Sequence, residues 1–484
     1  MISGDSDKKA LKSGIWYIAS NFAAKGAVFF STPLFTRIMT KEEIGTFSNI
    51  SAWVSLLVVI TSLELATSIT FAKYEYGQEL NRFVASVLKL NFLVSTCLYI
   101  VVLAFHPFFT KFFGTDFMVL NIIFLYCIFS PALQMIQVKN RVLYQYKFSS
   151  VLTLSSVLIS ILVSLALVLI MNDKVHGRVI GYFGSLIVFN IALSVYLLYL
   201  GRTGRKSHEF WPFALSISLP MIIHLLSGQL LNSSDRIMIT KMCGSADNAL
   251  YSIAYTAAAI ISTLWTSLNT AWSPWAYDQM DNEDYHRLKK ASRSYCLLFF
   301  AIIVLFLLFA PEILLLMGGR QYLEAVAVIP PVVIGMFFQF VYSLYVNIEF
   351  FHKKQKYTAV GTTIAAAINI GLNWASIPIF GYVAAAYTTL VGYIVLFAIH
   401  YYIVYRMGKA WWYDTKFNYT ILLLSLVLIP IAELLYEATA ARWGLIAAVF
   451  CATIVILIIN RDIIKSIIKT RSLKPLMPML KLDK

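Results

Sequence analysis

A chain of 484 residues that is 59% hydrophobic, 13% charged and formally +15 at neutral pH is too apolar for a water-soluble globule and for a disordered chain. Its apolar residues come in runs long enough to cross a hydrocarbon core of roughly 30 Å, and its basic residues sit in every second gap between those runs. Val151 to Met171 is one continuous, mostly apolar stretch and not a period-two alternation, which excludes a transmembrane β-barrel.

In chain order the runs predict fourteen membrane helices, over 12–36, 44–71, 83–105, 117–138, 149–171, 179–200, 212–234, 249–276, 293–317, 324–349, 357–378, 381–404, 417–436 and 442–460. The eleventh and twelfth are separated so briefly that they form a tight hairpin turning at Pro378 and Gly381. With the amino terminus in the cytoplasm, that side collects Lys8, Lys9 and Lys12, then Lys73 and Arg82, then Lys139, Arg141 and Lys147, then Arg202, Arg205 and Lys206. It goes on to collect Arg287, Lys289, Lys290 and Arg293, then Lys353, Lys354 and Lys356, then Arg406, Lys409 and Lys416, and finally the basic tail. The other side holds far fewer. The positive-inside rule therefore predicts an even helix count with both termini cytoplasmic. The net charge is mainly a topology signal, arguing weakly for contact with anionic membrane lipid and not for nucleic acid.

The polar first eleven residues and the full-length run behind them predict a retained anchor and no cleavable signal peptide. Cys97, Cys127, Cys243, Cys296 and Cys451 fall in or beside different spans, so neither a disulfide framework nor a metal site is expected.

An internal repeat organises the chain. Thr36-Arg37-Ile38-Met39, leading to Gly45 and Phe47-Ser48, is echoed by Asp235-Arg236-Ile237-Met238, leading to Gly244 and Tyr251-Ser252. Gly181-Tyr182-Phe183 is echoed by Gly381-Tyr382-Val383. Both echoes have a shift of about 200 residues, the mark of a duplicated six-helix unit. The expected architecture is an all-α membrane protein of two pseudo-symmetric six-helix bundles around a central cavity, plus two extra C-terminal helices. Residues 1–200 form the first lobe, 201–211 a cytoplasmic linker, 212–405 the second lobe, and 406–484 the two additional helices and basic tail. Six being even, the lobes enter the membrane in one orientation and are related by an axis along its normal.

The opening segment KSGIWYIASNFAAKGAVFFSTPLFTRIMTKEEIGTFSNI resembles that of bacterial polysaccharide-export flippases, as do SLPMIIHLLSGQLLNSSDRIMIT with ALYSIAYTAAAI, and MGGRQYLEAVAVIPPVVIG. These are the Wzx-type lipid-linked oligosaccharide flippases of the multidrug/oligosaccharidyl-lipid/polysaccharide exporter superfamily, and the resemblance covers about residues 12–405. It implies the two-bundle fold and alternating access in the bacterial inner membrane. The implied cargo is an undecaprenyl-pyrophosphate-linked glycan destined for O-antigen, capsule or another surface polysaccharide, with a polysaccharide polymerase complex as a candidate partner.

Ionisable groups deep in a span are costly and therefore functional candidates. Lys25 lies far along the first helix with no level partner, and either faces the central cleft as an anion-binding group or is held elsewhere. Glu64 and Lys89 lie at matched depth on neighbouring antiparallel helices and could form an ion pair; Lys89 could equally snorkel to the interface. Arg37 and Arg236 hold equivalent places in the repeats and could bracket a phosphate, or pin two helix ends at the interface. His224, Ser227, Gly228, Asn232 and Asp235 give the seventh helix a polar stripe on which His224 could titrate, although packing explains a histidine there as well. Trp265, Asn269 and Trp272 share a face of the eighth helix that could stack on sugars, or could belong, with Trp275, to packing and the aromatic belt.

The pyrophosphate that the family resemblance implies makes Lys25, Arg37 and Arg236 the expected phosphate-binding residues, with Trp265 and Asn269 toward the sugars. Glu64, Lys89, His224 and Asp235 are the candidates for an ion pair or for coupling to H+ or Na+. No Walker A loop, HExxH, GxSxG or glycine-rich nucleotide fingerprint is present, so no enzyme and no cofactor is expected. Two other readings stand beside the flippase. A cation-coupled multidrug exporter is disfavoured by Lys25, which would repel a cation, and an integral membrane glycosyltransferase or polymerase by the lack of a large acidic external loop.

Overall fold

The computed structural model describes residues 3–202, 208–354 and 356–459. Part of the basic linker, including Arg205 and Lys206, and the basic tail lie outside the described residues. Among those described there is no strand. The helices are α1 (Ser3–Ile38), α2 (Lys41–Ser62), α3 (Ser68–Tyr76), α4 (Leu80–Ala104), α5 (His106–Phe113), α6 (Phe117–Phe129), α7 (Pro131–Val142), α8 (Tyr146–Ile170), α9 (Lys174–Val179) and α10 (Ser185–Leu200). They continue as α11 (Trp211–Met242), α12 (Ser245–Asp281), α13 (Tyr285–Leu308), α14 (Ala310–Gly318), α15 (Ile329–Phe351), α16 (Lys356–Phe380), α17 (Val383–Arg406), α18 (Thr415–Glu437) and α19 (Thr439–Ile459). Thirteen helical stretches are long and apolar enough to cross a membrane, α3–α4, α6–α7 and α9–α10 each counting as one, and α1 is a further helix of 36 residues. The protein is a multi-pass membrane protein.

Below, "upper" denotes the end of the bundle that carries the α1–α2 turn, and "lower" the opposite end. The upper turns are built by capping. Thr40 accepts from the Glu43 backbone while the Glu43 side chain accepts from Thr40, a closed capping box that starts α2. The Asp116 and Asp173 side chains cap α6 and α9 by accepting from the backbone N–H groups of Val119 and His176. The expected hairpin turns at Gly381, whose φ of 71° is open to glycine at little cost, whereas Pro378 stays inside the last turn of α16.

One predicted helix is not continuous. The run 44–71 is interrupted at Leu63 and Glu64, both left-handed with φ of 48° and 49°, followed by a 3-10 turn over Leu65–Thr67 before α3 resumes. Two adjacent non-glycine residues in that region store about 1–2 kcal/mol each. The break also redirects Glu64.

Small residues let the halves meet. In the first half, Gly181 lies so close to α8 that a Cβ there would stand 2.3 Å from the Ser164 Cα. Between the halves, α2 runs against α11 and α12 on the upper side. A Cβ on Gly45 would stand 1.7 Å from the Ser245 carbonyl oxygen, and the Asn248 side chain donates to the Gly45 carbonyl at 2.8 Å. Ser48 and Ser252 share a hydrogen bond of 2.5 Å, Thr36 donates to the Met317 carbonyl at 2.6 Å, and Lys41 pairs with Glu324. The upper face is closed by this seam. The largest core runs through α12, α13, α15, α17 and α18, while the first half has two smaller cores, one low around α4 and α7 and one high around α6 and α9. α18 and α19 pack on the flank of α13, with Asn418 donating to the Tyr345 hydroxyl at 3.0 Å and Arg442 paired with Glu312.

Gly45→Ala therefore drives a carbon into the Ser245 backbone and should destabilise the upper seam by about 1–3 kcal/mol. In an otherwise cysteine-free protein, a Ser252→Cys reporter should then react faster with a water-soluble maleimide. An unchanged rate would mean that the seam does not depend on this close approach.

Candidate functional site

A cavity of about 550 Å³ opens between the two halves beneath the upper seam. From the first half it is lined by Val28, Ser31, Thr32 and Phe35 of α1, by one face of α2 that includes Phe47, Ser48, Ser51 and Ser55, by Ser164 of α8, and by Arg178 and Tyr182. From the second half come Gln229 and Arg236 of α11 and Ser252 and Thr256 of α12. The lining residues recur at i, i+3 and i+4, so each helix turns a single polar-containing stripe inward.

Arg178 and Arg236 dominate its electrostatics. The Arg178 guanidinium lies 4.3 Å from the Phe35 ring centre and 4.0 Å from that of Phe47, with Nη1 3.7 Å from the Met39 sulfur. The Arg236 guanidinium lies 5.0 Å from the Tyr255 ring centre, and its Nε is buried without a hydrogen-bond partner. Among the described residues neither pairs with a carboxylate. Aromatic faces offset part of a buried cation's lost hydration, and they leave its hydrogen-bond donors unused. A site of this kind accepts an anion, and a planar fork of donors suits a phosphate or diphosphate.

Local structure holds Arg178 in place. The Asp173 carboxyl, kept below its ordinary pKa chiefly by the His176 backbone N–H, lies 2.7 Å from the His176 ring, whose other nitrogen is 2.9 Å from Asp116. This clip ties the starts of α6 and α9 together. Ser164 donates to the Arg178 carbonyl at 3.2 Å, and Lys174 donates to the Ile38 carbonyl at 2.5 Å. Directly after α9, Ile180–Gly184 form a turn of π-helix that aims Tyr182 and Phe183 at the cavity. Such turns recur at functional positions.

The expected site residues are distributed differently. Of the pair Arg37 and Arg236, only Arg236 lines the cavity; Arg37 is exposed outside it. The arginine opposite Arg236 is Arg178, which looks like a plain topology charge in the sequence because it lies next to the loop at 171–173. Lys25 is exposed one turn below Val28, on the lining stripe of α1 but not among the lining residues. Glu64 and Lys89 do not pair. Glu64 is buried and accepts from Gln134 at 3.3 Å, while Lys89 is exposed. Matched depth is not matched azimuth, and the break at Leu63–Glu64 turns the carboxylate toward α7.

Trp265 and Asn269 do not line the cavity. The Trp265 indole donates to Ser343 at 3.3 Å and Asn269 accepts from Ser273 at 3.2 Å, while the buried Trp272 stacks on Tyr295 with ring centres 4.7 Å apart. Asp235 is buried behind Arg236, where Tyr251, Asn373 and Thr389 donate to it at 2.5, 2.6 and 2.7 Å. His224 lies half-buried lower on α11, its Nδ1 without a partner.

Fold and cavity together define a helical membrane protein with a cationic chamber between its two halves. The chain matches the family described as polysaccharide biosynthesis protein over residues 10–280, more than half its length, and belongs to that family. A second family, MatE, matches over residues 220–375. The chain is 22% identical over 421 residues to Lsg locus putative protein 1 of Haemophilus influenzae, across 83% of this chain and 99% of that protein. Among solved structures it is similar to the lipid II flippase MurJ in an inward closed conformation, with a TM-score of 0.68 and 15% identity over 93% of this chain and 99% of that one. It is also similar to an inward-facing multidrug resistance MATE family transporter, with a TM-score of 0.60 and 12% identity over 82% and 95% of the two chains. At those identities the likeness is one of fold.

If the two arginines are the anion site, Arg178→Ala or Arg236→Ala should each weaken binding of inorganic pyrophosphate to the purified protein by about tenfold. Calorimetry should find Arg37→Ala close to wild type. Equal losses from all three substitutions would point to diffuse surface charge instead.

Proposed function

We propose that this protein is a flippase that moves an undecaprenyl-pyrophosphate-linked oligosaccharide across the bacterial inner membrane by alternating access, for O-antigen, capsule or another surface polysaccharide. The observation that carries the reading is the pair of arginines, one from each half, lining one cavity, neither in an ion pair with a carboxylate among the described residues. A diphosphate leaving water loses strong hydration, which close cations and hydrogen-bond donors can offset. Membership of the polysaccharide biosynthesis family supports the glycan, and the lipid II flippase of like fold supports a lipid-linked cargo.

In this reading the two six-helix lobes, 1–200 and 212–405, rock about the cavity. The clustering of Lys and Arg on the lower loops supports a cytoplasmic lower side, with both termini there and the upper seam facing the periplasm. Cargo enters from below, and Lys25, on the α1 stripe beneath the cavity, meets its phosphates on the way to Arg178 and Arg236. A proton or sodium ion drives the cycle, with Asp235 and His224 as its first candidate sites, and a polysaccharide polymerase complex receives the product. The MatE match favours a multidrug exporter as the second reading. A cavity with two unpaired arginines repels the cations that such a protein would carry.

In a strain lacking the gene, wild-type protein should restore surface glycan. Arg178→Ala, Arg236→Ala and Lys25→Ala should not, although each should reach the membrane in normal amount, and Lys25→Arg should restore part of it. Normal glycan from the Arg178→Ala, Arg236→Ala double variant would remove the basis of the proposal.

A further inference from the structure

The second half holds a buried ionisable cluster that the cavity does not use. Glu349 near the end of α15 and His400 on α17 are both wholly buried, with the His400 Nδ1 2.8 Å from the Glu349 Oε1. Thr358 of α16 donates to the other carboxylate oxygen at 3.4 Å. The second ring nitrogen of His400, Nε2, is buried and has no hydrogen-bond partner. It abuts Gly361, where a Cβ would stand 2.9 Å from it. From α11 comes His224, one turn below Ser227, whose hydroxyl lies 2.9 Å from that of Thr363 two residues past Gly361, and the His224 Nδ1 is also buried and unpartnered. Tyr342 closes the remaining side, its ring centre 5.3 Å from that of His400. His224 is about 16 Å below Asp235 along α11, so the two sites are separate.

Charge balance separates a structural pair from a working one. A carboxylate against a neutral imidazole leaves one net negative charge in a dry site, which is costly. One more proton makes the pair imidazolium and carboxylate, with no net charge. A histidine kept only for packing has both nitrogens satisfied, whereas here the nitrogen that would take the extra proton is free and lies against a glycine, while neighbouring α11 carries a second histidine with a free nitrogen. The titratable groups against this pair are Glu349 and Tyr342 from α15, with His224 on neighbouring α11, and α16 contributes Gly361 and Thr358.

We propose that Glu349 and His400 form a proton-binding site, loaded from the lower side through His224. The arriving proton adds to His400 Nε2 while Nδ1–H stays bonded to Glu349, so no other bond changes. Gly361 leaves the space through which α16 can slide past the ring and admit or shut out the relay. The inference rests on the flippase reading for its purpose, naming the proton as the coupling ion, but not for its chemistry.

The test is infrared difference spectroscopy on the full-length protein in lipid vesicles, titrated between about pH 5 and 9, with the proton itself as the probe. Wild type should show an imidazole protonation step accompanied by a change in the bands of a buried carboxyl. Glu349→Gln with His400→Gln, two amides that can still bond to one another, should lose that step; Arg178→Ala should keep it. His224→Asn should slow the step after a pH jump severalfold without removing it. A step that survives in the double amide variant, or is missing from wild type, overturns the site, and an unchanged rate in His224→Asn overturns the relay. Failure of the flippase reading would look different, with normal surface glycan in the deletion strain and the titration step intact.

Discussion

Two guanidinium groups held in a membrane cavity with no carboxylate partner are the constraint on which the rest of this molecule turns. Removing an arginine from water is expensive, and the rings of Phe35, Phe47 and Tyr255 compensate only the part of that cost that needs no hydrogen bond. Asp235 would be the natural counter-ion for Arg236, its neighbour in sequence. The fold instead turns that carboxylate into the interior, where Tyr251, Asn373 and Thr389 donate to it from α12, α16 and α17. Among the described residues the positive charge in the cavity is free of an ion pair, and it comes equally from the two halves.

The surrounding structure suits such motion. The upper seam is made of glycine, serine and asparagine, which allow close backbone contact without interdigitated side chains and can part at modest cost. Next to it, the π-helical turn after Arg178 is a place where a helix already departs from regular geometry, and the left-handed pair Leu63–Glu64 at the lower end of α2 is another. One end of the cavity thus has a seam that can open, and the helices that line it have built-in points of bending. An anion that touches Arg178 and Arg236 together biases the distance between the halves, which is how binding free energy reaches the seam.

Much of the fold was legible in the sequence because hydrophobic run length is a one-dimensional property. The fourteen runs, the hairpin at Gly381 and the position of the chain breaks follow from it directly. The break at Leu63–Glu64 left no such trace, since neither residue is a glycine or proline and the run continues through it. The site was legible in kind but not in place. Sequence depth put Glu64 level with Lys89 and repeat symmetry put Arg37 opposite Arg236, yet neither rule contains the rotation of a helix about its axis, which decides what a side chain meets. Arg178 was hidden among loop charges, and Glu349 and His400 sat near the ends of their runs, where a polar residue draws no notice. The tryptophans of α12 carried the opposite error, because large aromatic residues fill cores far more often than they bind sugars.

The most direct test of the central claim is a leaflet-resolved translocation assay with the purified protein. Vesicles containing it would be loaded with a fluorescent undecaprenyl-pyrophosphate-linked sugar, and the fraction protected from an external, membrane-impermeant quencher would be followed over time. The account predicts that wild type exchanges the lipid between leaflets and that the variant lacking both Arg178 and Arg236 does not, while Arg37→Ala behaves as wild type. Equal exchange by wild type and the double variant would contradict it.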